Sequence, residues 1–189
     1  MLLEAAQSAF AENGYLGTTV EHILQRSGIG RTSFYKHFPD KLAVASALFT
    51  AFMPALEDAY ATIGDAPVVD LPTVAAWLDA LIADYRRNAG IMTLFAEVMV
   101  AEPGFSATIT TVQRAIMARL GQRFPAFAAG ANAATPESAE RTEAAIILSL
   151  IDGLCSSIAL RGAELDPAAA TRFVAAIVLP FLLRTHSAS

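Results

Sequence analysis

Residues 18–42 read TTVEHILQRSGIGRTSFYKHFPDKL, and this stretch decides how the chain folds. Thr18 and Glu21 stand three apart, a helix-opening box in which Thr18 caps the Glu21 amide and Glu21 reaches back. A helix is expected over about Thr19–Arg26, broken by Ser27-Gly28-Ile29-Gly30. A second short helix follows, Arg31–His37, ended by Phe38-Pro39, and Asp40 caps the helix after it. Two short helices joined by a glycine turn make a helix-turn-helix pattern. A helix as short as Arg31–His37 is not stable alone in water, so packing must hold it. Val20, Ile23, Leu24, Ile29 and Phe34 supply the anchors, and Phe10, Leu42 and Leu48 supply the apolar bed. Arg31, Thr32, Ser33, Tyr35, Lys36 and His37 then face outward, small polar, basic and phenolic side chains suited to a major groove.

Upstream, Leu3, Ala6 and Phe10 share one face of a helix over about Leu2–Asn13, stopped by Gly14. Downstream, a long helix is expected over about Lys41–Ile63, with Pro54 as a kink. Gly64–Asp70 reads as a linker that ends on an N-cap, and helices follow over about Leu71–Asn88, Ile91–Glu102 and Phe105–Phe124. The segment Pro125–Pro136 (PAFAAGANAATP) has no periodicity and reads as a flexible loop. Thr135-Pro136-Glu137 opens a helix to about Arg161, and Asp166-Pro167 opens the last, to near Arg184. No stretch alternates apolar and polar residues, so the fold class is all-α.

The 189 residues are 54% hydrophobic and 16% charged, which excludes a disordered chain. The longest apolar runs, Ala144–Ile151 and Phe173–Leu183, fall short of the roughly 18 uninterrupted residues of a membrane span. No basic stretch precedes an apolar run at the N-terminus, so no secretory leader is expected and a cytoplasmic protein is. The net charge of −5 is uneven: residues 1–42 are neutral, and residues 43–189 carry all of it. Arg26, Arg31, Lys36 and Lys41 fall within sixteen positions that hold one carboxylate, Asp40, a small positive patch on an acidic body.

Ala5-Ala6, Phe10, Gly14-Tyr15, Thr18-Thr19-Val20, Ile23, Gly28-Ile29, Phe34-Tyr35, His37-Phe38, Lys41 and Leu42, in this spacing, resemble the DNA-binding domain of the tetracycline-repressor (TetR) family of bacterial transcriptional regulators. The resemblance covers the first 42 or so residues, and the rest agrees only in helix count and length. It implies about nine helices in two domains, a three-helix DNA-binding domain over 1–42 and an effector-binding and dimerisation domain over 43–189. It implies that Arg31, Thr32 and Ser33 reach bases, that Tyr35, Lys36 and His37 meet phosphates or base edges, that Lys41 meets a phosphate, and that Thr19 lies near the DNA backbone. The partners implied are a double-stranded operator, a small apolar effector and a second copy of the chain. The function implied is a ligand-responsive regulator, in its commonest form a repressor released from a palindromic operator. Two departures from the family pattern stand out. Gly30 replaces a capping serine, which glycine can do, and no basic arm stands ahead of the first helix in the residues given.

In the C-terminal part, Phe49, Phe52, Met53, Trp77, Leu81, Tyr85, Met92, Phe95, Met99 and Met117 form a set larger than a compact core needs. Adaptable Met beside aromatic walls suits an apolar effector pocket, although any one of them, taken singly, is more often core than ligand contact. The last two helices are apolar on all sides and must be covered on all sides. Ile147, Leu150, Ile151, Leu154, Ile158, Phe173, Ile177 and Phe181 are therefore candidates for a subunit interface, with the monomer core as the alternative. Catalysis finds little support. The histidines lie at 22, 37 and 186, Cys155 has no base near it, and there is no Gly-rich phosphate loop, nucleophile motif or metal-spaced ligand set, so no enzyme activity, cofactor or metal is expected. The rival reading is a helical small-molecule binding or catalytic module that uses its first three helices only as scaffold.

Overall fold

Gly14 interrupts the first helix with φ 67° and ψ 172°, a left-handed φ that a side chain would strain. A computed structural model describes residues 1–135 and 137–185, so Pro136 and His186 lie outside the described residues. Among these there is no strand. The helices are α1 Leu2–Gly17, α2 Val20–Ser27, α3 Arg31–His37, α4 Lys41–Ala61, α5 Leu71–Arg87, α6 Ala89–Ala101, α7 Ser106–Leu120, α8 Pro125–Asn132, α9 Ala139–Ala159 and α10 Pro167–Leu182. Short 3-10 turns cover Thr62–Asp65 and Pro103–Phe105. The chain divides into two compact units, Met1–Pro54 with Asn88–Ala107, and Ala55–Arg87 with Thr108–Ser189. The division falls at Pro54, inside the helical span of α4.

In the first unit α1 packs against α2 and α6, with Ala6, Phe10, Ile23, Phe34 and Val44 buried. The box that opens α2 sits one residue later than the sequence suggests. Thr19 is the N-cap, its hydroxyl accepting from the His22 amide at 3.2 Å while its own amide donates to His22 Nδ1 at 3.4 Å. Thr18 cannot fill that place because it is 1% exposed and its hydroxyl donates to the Gly14 carbonyl at 2.7 Å, closing the end of α1. Asp40 accepts from the Ala43 amide at 2.8 Å and caps α4 as expected.

In the second unit α5 lies against α9 and α10, and α8 closes on both of the latter. Residues 125–132, expected as loop, are helix. Pro125 takes the first helical turn, Phe127 is buried edge-on to Phe181 at 5.0 Å, and the Arg141 side chain of α9 donates to the carbonyls of Gly130, Ala131 and Ala133. The run lacks periodicity because small residues fill it, and α9 supplies from outside the C-cap that its own sequence omits. A Cβ at Gly130 would stand 2.7 Å from the Ala144 Cβ. Gly130→Ala should therefore cost about 2 kcal/mol despite its better helix propensity, lowering the thermal midpoint by about 4–8 °C. A midpoint equal to wild type would show that α8 does not press on α9.

By length and composition the stretches Lys41–Asp65 and Ala139–Ala159 reach what a bilayer span needs. In the second unit α9 turns one face of that apolar surface onto α5, α8 and α10.

Candidate DNA-binding face

The turn between α2 and α3 requires Gly28, which caps α2 in the left-handed conformation at φ 68°. From there the chain enters α3 through Gly30 in extended backbone, without a side-chain cap. Phe34 is the one buried residue of α3, at 1% exposed, with Phe38 packed 6.0 Å from it, ring to ring. That anchor fixes the helix rotation. Arg31, Thr32, Ser33, Tyr35, Lys36 and His37 all come out exposed, Tyr35 edge-on against Phe34 at 5.3 Å.

The cations of this region differ in what they hold. Arg31 pairs with Glu21 of α2, and Arg26 makes a two-pronged pair with Glu12 of α1. Lys36 has no ion-pair partner among the described residues. Lys41 is half-buried. Its ammonium donates to the carbonyls of Tyr15 at 2.7 Å and Thr18 at 2.9 Å, lies 3.4 Å from that of Leu16, and sits 4.4 Å over the Tyr15 ring. Its donors thus satisfy the open carbonyls at the end of α1. The exposed Thr19 hydroxyl accepts the His22 amide and keeps its proton for a further contact.

Sequence reasoning missed the groups that hold the Gly14–Tyr15 turn. Glu97 of α6 accepts from the Tyr15 amide, and Glu102 accepts from the Tyr15 hydroxyl at 2.8 Å. Burial, then the Glu102 carboxylate, push the Tyr15 phenol well above its usual range. A Cβ at Gly14 would stand 3.2 Å from a Glu97 carboxylate oxygen, a second reason for glycine there. These contacts span more than eighty residues of sequence, so no local pattern announces them.

The ten effector candidates divide between the units. Phe49, Phe52, Met53, Met92, Phe95 and Met99 belong to the first, where Phe49 is buried and meets Phe95 edge-on at 4.8 Å and Phe105 at 5.5 Å. Met92 is buried, and Phe52, Met53, Phe95 and Met99 are half-buried. Trp77, Leu81, Tyr85 and Met117 belong to the second and are all buried. There the Tyr85 hydroxyl donates to Asp152 at 2.7 Å and lies 3.3 Å from that of Tyr60. Burial raises both phenols and the Asp152 carboxyl, the last partly offset by the hydrogen bond from Tyr85.

The interface candidates also separate. Ile147, Ile151 and Leu154 of α9 and Phe181 of α10 are buried within the chain, and Leu150 and Ile158 are half-buried. Phe173 and Ile177 are exposed, at 68% and 41%, as is Ile146 at 60%. An apolar groove lined by Leu150, Gly153, Leu165, Phe173 and Val174 runs between α9 and α10. The all-round apolar character of α9 thus has two origins, one face for its own core and one left open.

Cys155 of α9 is fully buried, and burial, with the Asp152 charge adding to it, pushes its thiol up to about 12. It should resist alkylation at pH 8 in the native protein and react once the chain is unfolded, a difference of at least about a thousandfold in rate. Native labelling at the unfolded rate would contradict its placement.

Residues 2–48 match the model of bacterial regulatory proteins of the tetR family. No curated protein matches the chain. Among solved structures it is similar to the fatty acid degradation regulator FadR from Bacillus halodurans, at TM-score 0.66 and 16% identity over 94% of this chain and 92% of that one. It is similar to Salmonella enterica GusR, at 0.62 and 24% over 95% and 93%. It is also similar to the TetR family transcriptional regulator PfmR from Thermus thermophilus, at 0.59 and 16% over 97% and 99%.

Proposed function

We propose that this chain, whose residues 2–48 match the tetR family of bacterial regulatory proteins, is a DNA-binding transcriptional regulator of that family and a ligand-responsive repressor. It acts in the cytoplasm as a homodimer and leaves a near-palindromic operator when a small apolar effector binds. The observation that carries this reading is the outward face of α3: one buried phenylalanine turns Thr32, Ser33, Tyr35, Lys36 and His37 to solvent together. Arg31 joins them by exchanging Glu21 for DNA. Two copies meet through Leu150, Phe173 and Ile177, whose open apolar face is the kind of surface that a two-fold interface covers. Two-fold symmetry then sets the half-site spacing.

Effector and operator oppose one another through a coupling of about 1–3 kcal/mol. The effector half rests on the aromatic and methionine clusters of both units, whose adaptable side chains suit apolar molecules. The test is selection of fragments of the native genome by the purified protein at two salt concentrations. A palindromic site that persists at the higher salt supports the repressor reading and exposes neighbouring genes. Recovery of salt-labile random fragments alone would move the weight to a helical binding module with its first three helices as scaffold.

A further inference from the structure

The second unit buries a polar chain that joins α4, α5 and α9 and leaves one donor beside it unpaired. Trp77 is 5% exposed, and its indole Nε1–H is buried with no hydrogen-bond partner among the described residues. Its ring stands edge-on to that of Tyr60, centroids 6.2 Å apart. The direction of the neighbouring relay follows from its end. Tyr85 donates its proton to Asp152, so its oxygen can only accept from Tyr60, which lies within reach. The Tyr60 proton is thereby used inside the relay, and the Tyr60 oxygen, which can still accept, makes no hydrogen bond with the Trp77 N–H. The Trp77 N–H is left unpaired beside the relay, an incomplete arrangement, since buried N–H groups in folded proteins are almost always paired. Of the wholly buried side chains around it on α5 and α9, Leu78, Leu81 and Ile151 are apolar, and the Cys155 sulfur, which lies near Tyr60, makes no hydrogen bond with the indole.

Resting on the effector-binding reading, we propose that Trp77 Nε1–H is the polar anchor of the effector site and that the effector is a neutral molecule presenting one oxygen acceptor, a carbonyl, ester or alcohol, on an apolar body. A hydrocarbon would leave the indole unpaired. A carboxylate would accept the same hydrogen bond, but it would share a low-dielectric region with the carboxylate that ends the relay at Asp152. The site is closed in this state, so a ligand enters only an opened form, and occupancy is thereby linked to a change of shape.

Trp77 is the sole tryptophan, so a single indole N–H resonance reports on the site in the intact chain. The probes are acetophenone, cyclohexanone, octanal and octanol, set against ethylbenzene, methylcyclohexane and octane as hydrocarbons and benzoate and octanoate as anions. At least one oxygen-bearing neutral probe is expected to move the indole resonance downfield, and its hydrocarbon counterpart is not. Trp77→Phe should weaken that probe about tenfold while leaving hydrocarbon affinity within a factor of about two. The inference is overturned if no neutral oxygen probe moves the resonance, if hydrocarbons move it equally, if the anions bind more tightly, or if Trp77→Phe binds as wild type. The wild-type resonance keeps the test decisive should the variant fold poorly. Failure of the parent reading looks different: acceptor-dependent binding at Trp77 that leaves the operator complex intact removes the regulatory role and keeps the anchor. Operator release by compounds that leave the indole resonance unmoved removes the anchor and keeps the role.

Discussion

Arg31→Ala combined with Lys36→Ala is expected to lower affinity for the recovered operator by at least about a hundredfold, with the thermal midpoint unchanged. Both side chains are exposed on α3 and neither supports the core, so the variant should fold. A base-reading arginine contributes about 1–3 kcal/mol of discrimination, and a phosphate-bound lysine about one unit of the salt slope. The two halves separate in experiment. Lys36→Ala alone should weaken all sequences alike and flatten the salt dependence, whereas Arg31→Ala alone should relax preference at one base position. Arg31 must also give up Glu21 when it docks, an exchange between exposed partners that costs little. Glu21→Gln should therefore leave operator affinity equal or tighter. Fluorescence anisotropy at two salt concentrations measures all four proteins, and an unchanged affinity in the double variant would remove α3 from the DNA contact.

Lys41→Met is expected to act differently, through folding. The family resemblance implies a phosphate contact for Lys41, yet its ammonium is held by backbone carbonyls at the end of α1 and by the Tyr15 ring. Methionine keeps the apolar stem and removes every donor, leaving those carbonyls open at a half-buried place. Hydrogen bonds to a charged group contribute about 1.5–3 kcal/mol, so the first unit should lose about 2 kcal/mol, and α2 and α3, which lean on α1, should loosen with it. The predicted signature is a lower thermal midpoint and faster amide exchange in α1 and α2, with operator affinity falling because less protein is folded. A plain phosphate contact gives the opposite pattern: an unaltered midpoint and a salt slope smaller by about one. Thermal melts and a salt titration on one preparation decide between them.

Along the chain, legibility followed locality. The span of α3 and the caps at Asp40, Asp70 and Asp166 could be read from the sequence because each depends on residues a few positions apart. Gly14, by contrast, expected to stop the first helix, only interrupts it, and α1 runs on to Gly17. The box opening α2 misses by one residue because two threonines stand in line and only burial tells them apart: Thr18 closes α1, and Thr19 caps α2. Helix α8 escapes altogether, since its capping group, Arg141, belongs to another helix.

An all-helical chain and the identity of the side chains on α3 follow from the order of amino acids alone, because helix periodicity and glycine turns are properties of neighbouring residues. The apolar excess of α9 and α10 is legible in the same way, without showing which face is spent inside. Folding settles that Ile147 and Ile151 turn inward while Phe173 turns out, that Lys41 closes α1, and that Trp77 keeps an unpaired indole N–H beside a tyrosine relay. Each of these depends on which distant group arrives at a given point, and burial and hydrogen-bond partners of that kind exist only once the chain has folded back on itself.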